Sequence, residues 1–218
     1  MSARDDILAS IRAALRSALL PDAADAHPDG PPLQATPGDA DRFQAEVEAL
    51  SGWVYRASGP AEAARHVVAI VESAGADRVL AWSAEVIGVA GLQEALREAG
   101  IGWHQLDEGI HPSTYRNFKV GLTGAHAGLA DVGALVVKSG PGRARTASML
   151  PPVHVAILPV EHLYADMASF FAAHPDAVQS GSNLVFIAGP SRTADIELTL
   201  TLGVHGPGEV HVVLVEGG

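Results

Sequence analysis

From residue 43 onward the chain alternates short apolar runs with stretches of helical periodicity. Residues 53–55, 79–82, 101–106, 120–123, 135–137, 153–158, 184–188 and 210–215 are rich in Val, Ile, Leu and aromatic side chains and are bounded by turn formers. Such continuous apolar runs suit strands buried on both faces. Residues 43–50, 61–73, 92–99 and 159–173 carry apolar side chains at helical spacing. Pro60 and Gly75 bracket the second of these helices and Gly100 ends the third, as helix starts and stops require. The order predicts βαβ units: an α/β protein with a mostly parallel sheet between helix layers.

The ends of the chain read differently. Residues 1–20 predict an N-terminal helix with Ile7, Ile11 and Leu15 on one face, Asp5 and Asp6 at its start and Pro21 after it. It is read either as lying on the main body or as a partner-docking arm. Residues 21–41, dominated by Pro, Asp, Ala and Gly, read as a linker. The α/β domain is expected over 42–218. Apolar residues make up 48% of the chain and charged residues 18%, enough for a substantial core.

The formal net charge of −11 argues against a sequence-independent grip on nucleic acid or an anionic membrane. A small anionic ligand stays compatible, because local arginines dominate a site. No cysteine is present, so thiolate-held iron–sulfur clusters and cysteine nucleophiles are ruled out for this chain. No secretory leader is recognised in the first residues, and no apolar run reaches the length of a membrane span. A cytoplasmic location is the expectation. Ten histidines are present, yet none falls in a tight ligand pattern, and no metal is expected. GxSxG, GxxxxGK[ST] and GxGxxG patterns are also missing.

The polar candidates lie in loops. Gly189-Pro190-Ser191-Arg192-Thr193 follows one apolar run, and Gly203-Val204-His205-Gly206-Pro207 precedes another. The segment between them reads as a helix, with Asp195 and Glu197 in its first turns. Ser191 then either caps that helix or joins Arg192 and Thr193 in binding a carboxylate or phosphate, with Asp195 bracing Arg192. A helix of about 11 residues would separate Arg192 from His205 by roughly 16 Å. His205 is a candidate acid–base group, or a histidine that bonds a loop carbonyl. Arg143 and Arg145, in the Ser- and Gly-rich segment 139–148, form a candidate anion clamp. Asp131, in a glycine-rich apolar stretch, is a candidate base or nucleophile, or a turn-capping carboxylate.

These motifs resemble the LutC/YkgG family of lactate utilisation proteins, the LUD domain. The segments that carry the likeness are Arg4 to Ile11, Ala130 to Val137, Met149-Leu150-Pro151-Pro152-Val153-His154, Gly189 to Glu197, and Gly203 to Pro207. The resemblance implies a NagB/RpiA/CoA-transferase-like fold and a role as an accessory subunit in L-lactate oxidation. It also implies iron–sulfur partner subunits that carry the redox centres, with no cofactor bound by this chain. Where the family usually reads Ala-Glu-Thr-Gly-Thr, this chain has Ala130-Asp131-Val132-Gly133-Ala134, with a shorter acid and two hydroxyls fewer. Whether catalysis resides in this chain stays open. The rival readings are a stand-alone isomerase- or CoA-transferase-like enzyme acting on a phosphosugar or thioester, and a non-catalytic assembly module.

Overall fold

The computed structural model describes residues 3–17, 34–105, 115, 117–179, 181–194, 200–203 and 205–217. The chain divides into two units, Met1–Pro32 and Leu33–Gly218. In the first, α1 (Ala3–Ser17) has Asp5 and Asp6 in its opening turn and Arg16 in its last, matching the helix dipole. The second unit runs α2 (Ala40–Ala49), β1 (Trp53–Ala57), α3 (Pro60–Ser73), β2 (Arg78–Ala81), α4 (Ala84–Ile87), α5 (Leu92–Glu98), β3 (Gly102–Gln105), β4 (Val120–Gly124), β5 (Ala127–Leu129) and β6 (Ala134–Ser139). It continues with α6 (Thr146–Met149), β7 (Val153–Pro159), β8 (Leu163–Tyr164), α7 (Met167–Ala173), β9 (Asn183–Ile187), β10 (Arg192–Ala194), β11 (Leu200–Leu202) and β12 (Glu209–Val215).

Six strands form a wholly parallel sheet in the order β1-β12-β7-β4-β2-β3. Its central strands are buried almost throughout, as the continuous apolar runs require. One face is covered by α3 and α5: Tyr55 and His211 point that way, and the Tyr55 ring meets His66 of α3. The opposite face is covered by α2, α6 and a second sheet, ordered β8-β5-β6-β9. On that side Arg56 reaches across to Asp41 and Gln44 of α2.

Two glycines set the spacing of these layers. A Cβ on Gly121 would lie 1.8 Å from the Ala147 carbonyl oxygen, so α6 can rest on β4 only where there is no side chain. A Cβ on Gly128 would lie 2.6 Å from Leu158 Cδ2, and this gap lets β5 pack against β7. The far side of the second sheet buries Ala127, Leu129, Ala134 and Val136 against Phe170 and Ala177.

The α/β class and the mostly parallel sheet agree with the sequence reading, and so do eight of the strands. Three segments differ. The helix expected over 159–173 begins only at Met167, where the Asp166 carboxylate caps the Ser169 N–H at 2.7 Å. Leu163 and Tyr164 instead pair with Gly128 and Leu129. The end of the expected linker is part of the body: Gly38 N–H donates to the Leu163 carbonyl and the Ala165 N–H donates to the Thr36 carbonyl. The segment expected as a helix between Ser191 and Gly203 is, at both described ends, an antiparallel pair, with Arg192 opposite Leu202 and Ala194 opposite Leu200. The Leu198-Thr199-Leu200-Thr201-Leu202 alternation has a period of two and β-branched members, and it outweighs the acidic first-turn signal of Asp195 and Glu197. Residues 195–199, Asp195 among them, lie outside the described residues.

His154 of β7 is wholly buried and shares a 2.9 Å hydrogen bond with the Thr123 hydroxyl. Burial, with a smaller contribution from His211, lowers its pKa to about 4. In the unfolded chain the same imidazole titrates near 6.5. The unfolded state therefore takes up the proton first as pH falls. Stability from this group is complete above about pH 6.5 and is lost between there and about pH 4, at up to about 1.4 kcal/mol per pH unit. Urea unfolding across that window is expected to show a falling midpoint, and His154→Gln should reduce the slope by about one proton.

Candidate functional site

In the parallel sheet, the chain passes from β2 outward to β3 and then returns to lay β4, β7 and β12 on the other side of β2. The order thus reverses between β2 and β4, and open α/β sheets bind ligands beyond the carboxyl ends of strands at such a point. A cavity of about 180 Å³ lies there, lined by Trp82, Val86, Gly124, Ala125, His126, Lys138, Arg143 and His162. Trp82 directly follows β2, His126 follows β4, and His162 follows β7. Lys138 projects from β6, and Arg143 comes from the tight loop in which Gly140 and Arg143 exchange backbone hydrogen bonds. No acidic side chain is among the described residues that line the cleft.

The electrostatics agree with the lining. Partial burial lowers the His126 pKa to about 4, and His174, Lys138, Arg143 and His162 add to the effect. His126 is thus a neutral imidazole near pH 7, set among cations. Its ring lies 4.8 Å from that of His174, which shares a 2.9 Å hydrogen bond with the Tyr164 hydroxyl. Phe170 packs edge-on against His126 and holds the ring in place. The cleft therefore offers a lysine, an arginine and imidazole nitrogens to an anion. At about 30 Å³ per water it has room for roughly six non-hydrogen atoms. Among the described residues, no group of three or more His, Asp or Glu side chains is arranged to hold a metal.

The sequence candidates do not share one cavity. Arg143 lines the cationic cleft. Arg145 and Ser191 line a separate cavity of about 380 Å³, together with Val137, Met149, Val185, Ile187 and Pro207. Arg192 is turned away from both: its Nη2 donates to the Leu50 carbonyl at 2.6 Å and to Ser51 Oγ at 3.0 Å. Ser51 has a positive φ of 67°, so the guanidinium steadies a strained exit from α2. Thr193 pairs with Thr201 through the backbone. His205 is exposed, in the loop after β11. The hairpin brings that loop beside Ser191, whose N–H donates to the Pro207 carbonyl and whose carbonyl accepts from Gly203. The expected 16 Å separation of the two loops is therefore replaced by direct contact. Asp131 sits in the turn between β5 and β6, its N–H bonded to the Ala165 carbonyl and one carboxylate oxygen buried without a partner. His126 is at the opposite end of β5, on the order of 15 Å away along an extended strand.

The family model of the LUD domain matches residues 40–215. The chain belongs to the LUD domain family. A lactate utilization protein C from an Exiguobacterium strain is 41% identical over 100 residues, covering 44% of this chain and 44% of that protein. Another, from Halalkalibacterium halodurans, is 32% identical over 152 residues, covering 67% and 66%. An uncharacterized protein of Neisseria meningitidis is 35% identical over 103 residues, covering 46% and 44%. This chain therefore spans less than half the length of two of these relatives. Among solved structures, a DUF162 family protein from Deinococcus radiodurans superposes with a TM-score of 0.61 at 17% identity, over 80% of this chain and 94% of that one. That likeness establishes the fold of this LUD-domain chain. No described helix is long and apolar enough to cross a membrane.

Sequence reasoning passed over His126, Lys138 and His162. The available signal was Lys138, a lone cation ending the apolar run 134–137. For Arg192 the geometry predicts a structural effect. Arg192→Ala should cost about 1 kcal/mol by removing charged hydrogen bonds to the end of α2, seen as a lower thermal midpoint, while leaving anion affinity unchanged.

Proposed function

We propose that this LUD-domain chain is an accessory component of a lactate utilisation system and holds a small carboxylate in the cleft beyond β2, β4 and β7. The convergence of Lys138, Arg143, His126 and His162 on one small cavity carries the reading. Lys138 supplies a compact charge and Arg143 a planar fork that matches a carboxylate. Neutral His126 has both a donor and an acceptor nitrogen for a hydroxyl or keto oxygen on the adjacent carbon. The names of two relatives, lactate utilization protein C, supply the substrate class. Electron-accepting centres are then provided by iron–sulfur partner subunits, in keeping with a chain that has no cysteine.

Isothermal titration with lactate and with pyruvate tests this. Binding with a Kd of about 1 mM or tighter is expected for one of them, weakened about tenfold by Lys138→Gln and by Arg143→Gln. Lack of binding up to about 10 mM, or binding that neither variant weakens, would refute it.

A further inference from the structure

We propose that the second cavity, between α6 and the β6–β9 edge, is a separate binding site for a monocarboxylate with an apolar tail. Three features point to a ligand of that kind. The walls are hydrocarbon: Val137 of β6, Val185 and Ile187 of β9, Met149 of α6 and Val210 of β12. The cavity measures about 380 Å³, within the roughly 300–1,000 Å³ of small-molecule pockets and about twice the cationic cleft. Its charge is of one sign, since Arg145 is the ionisable side chain among the described residues that line it. Arg145 is exposed and lines the cavity, so the carboxylate of a ligand bound tail-first would pair with it. A further polar group is unspent. Ser139 lines the cavity, is 5% exposed, and has a hydroxyl with no hydrogen-bond partner among the described residues. Buried hydroxyls rarely stay unpaired, and an oxygen brought in by a ligand is one way to satisfy this one.

The site also gives a use to the motifs that the cationic cleft leaves aside. The Gly189-Pro190-Ser191 turn and Pro207 form one rim, held together by the Ser191–Pro207 and Gly203–Ser191 backbone bonds. Strand alternation keeps the two sites chemically apart. Val137 and Ser139 face the apolar cavity, and Lys138 between them faces the cleft. This inference rests on different residues from the proposed function and stands or falls independently of it.

Isothermal titration of the whole chain with acetate, butyrate, hexanoate and octanoate decides the matter. Affinity should rise about fourfold for each methylene buried, reaching a measurable Kd for octanoate. Ala188→Trp, which fills the cavity from an exposed position, should abolish octanoate binding. Arg145→Gln should weaken it about tenfold, and Lys138→Gln should leave it unchanged. A flat chain-length series overturns the proposal, as does octanoate binding that survives both Ala188→Trp and Arg145→Gln.

Discussion

The absence of a side chain at Gly121 determines where α6 and the segment leading into it lie on the parallel sheet. The Ala147 carbonyl occupies the space a Cβ would need, so α6 lies directly on the parallel sheet. Two more contacts pin the segment before it: Trp82 Nε1 donates to the Ala144 carbonyl at 3.0 Å, and Ser83 N–H donates to the Gly142 carbonyl at 3.0 Å. Held at these points, the segment turns Arg143 toward the strand ends and Arg145 toward the apolar cavity. Any larger residue at 121 would lift this segment off β4 and disturb both cavities together.

The cleft also shows why net charge says little about a site. The chain carries a formal −11, yet a cavity at its topological switch point is lined by cations and histidines. Low-dielectric walls concentrate that local field. Burial and the surrounding positive charge keep His126 neutral, which preserves an acceptor nitrogen among donors. Tyr164, His174 and Phe170 hold the ring in place, so the second sheet and α7 contribute to the cleft although the loops at 189–193 and 203–207 do not.

The parallel sheet was legible because strands buried on both faces leave uninterrupted apolar runs between helices, as at 120–123, 153–158 and 210–215. The β10–β11 hairpin was not: Asp195 and Glu197 signal a helix start, whereas the Leu-Thr alternation that follows signals a strand. The short strands Ala127–Leu129 and Leu163–Tyr164 escaped because two or three residues hold too little periodicity, and pairing in space creates them. Of the candidate residues, Arg143 drew attention because it stands in a loop of evident polarity, and in the fold it lines the cleft. His126, Lys138 and His162 are far apart in the chain, and only the crossing of β4, β6 and β7 brings them together. Arg192 illustrates the converse: a guanidinium beside a glycine-proline turn suggests an anion site, but in the fold it bonds Leu50 and Ser51.

A crystal structure of this chain soaked with lactate tests the cationic cleft most directly. Ligand density within hydrogen-bonding distance of Lys138 Nζ and the Arg143 guanidinium, with His126 against the 2-hydroxyl, is the expected result. Density confined to Arg145, to Arg192 or to the surface, with the cleft beyond β2 and β4 holding only water, would contradict an anion site at the switch point.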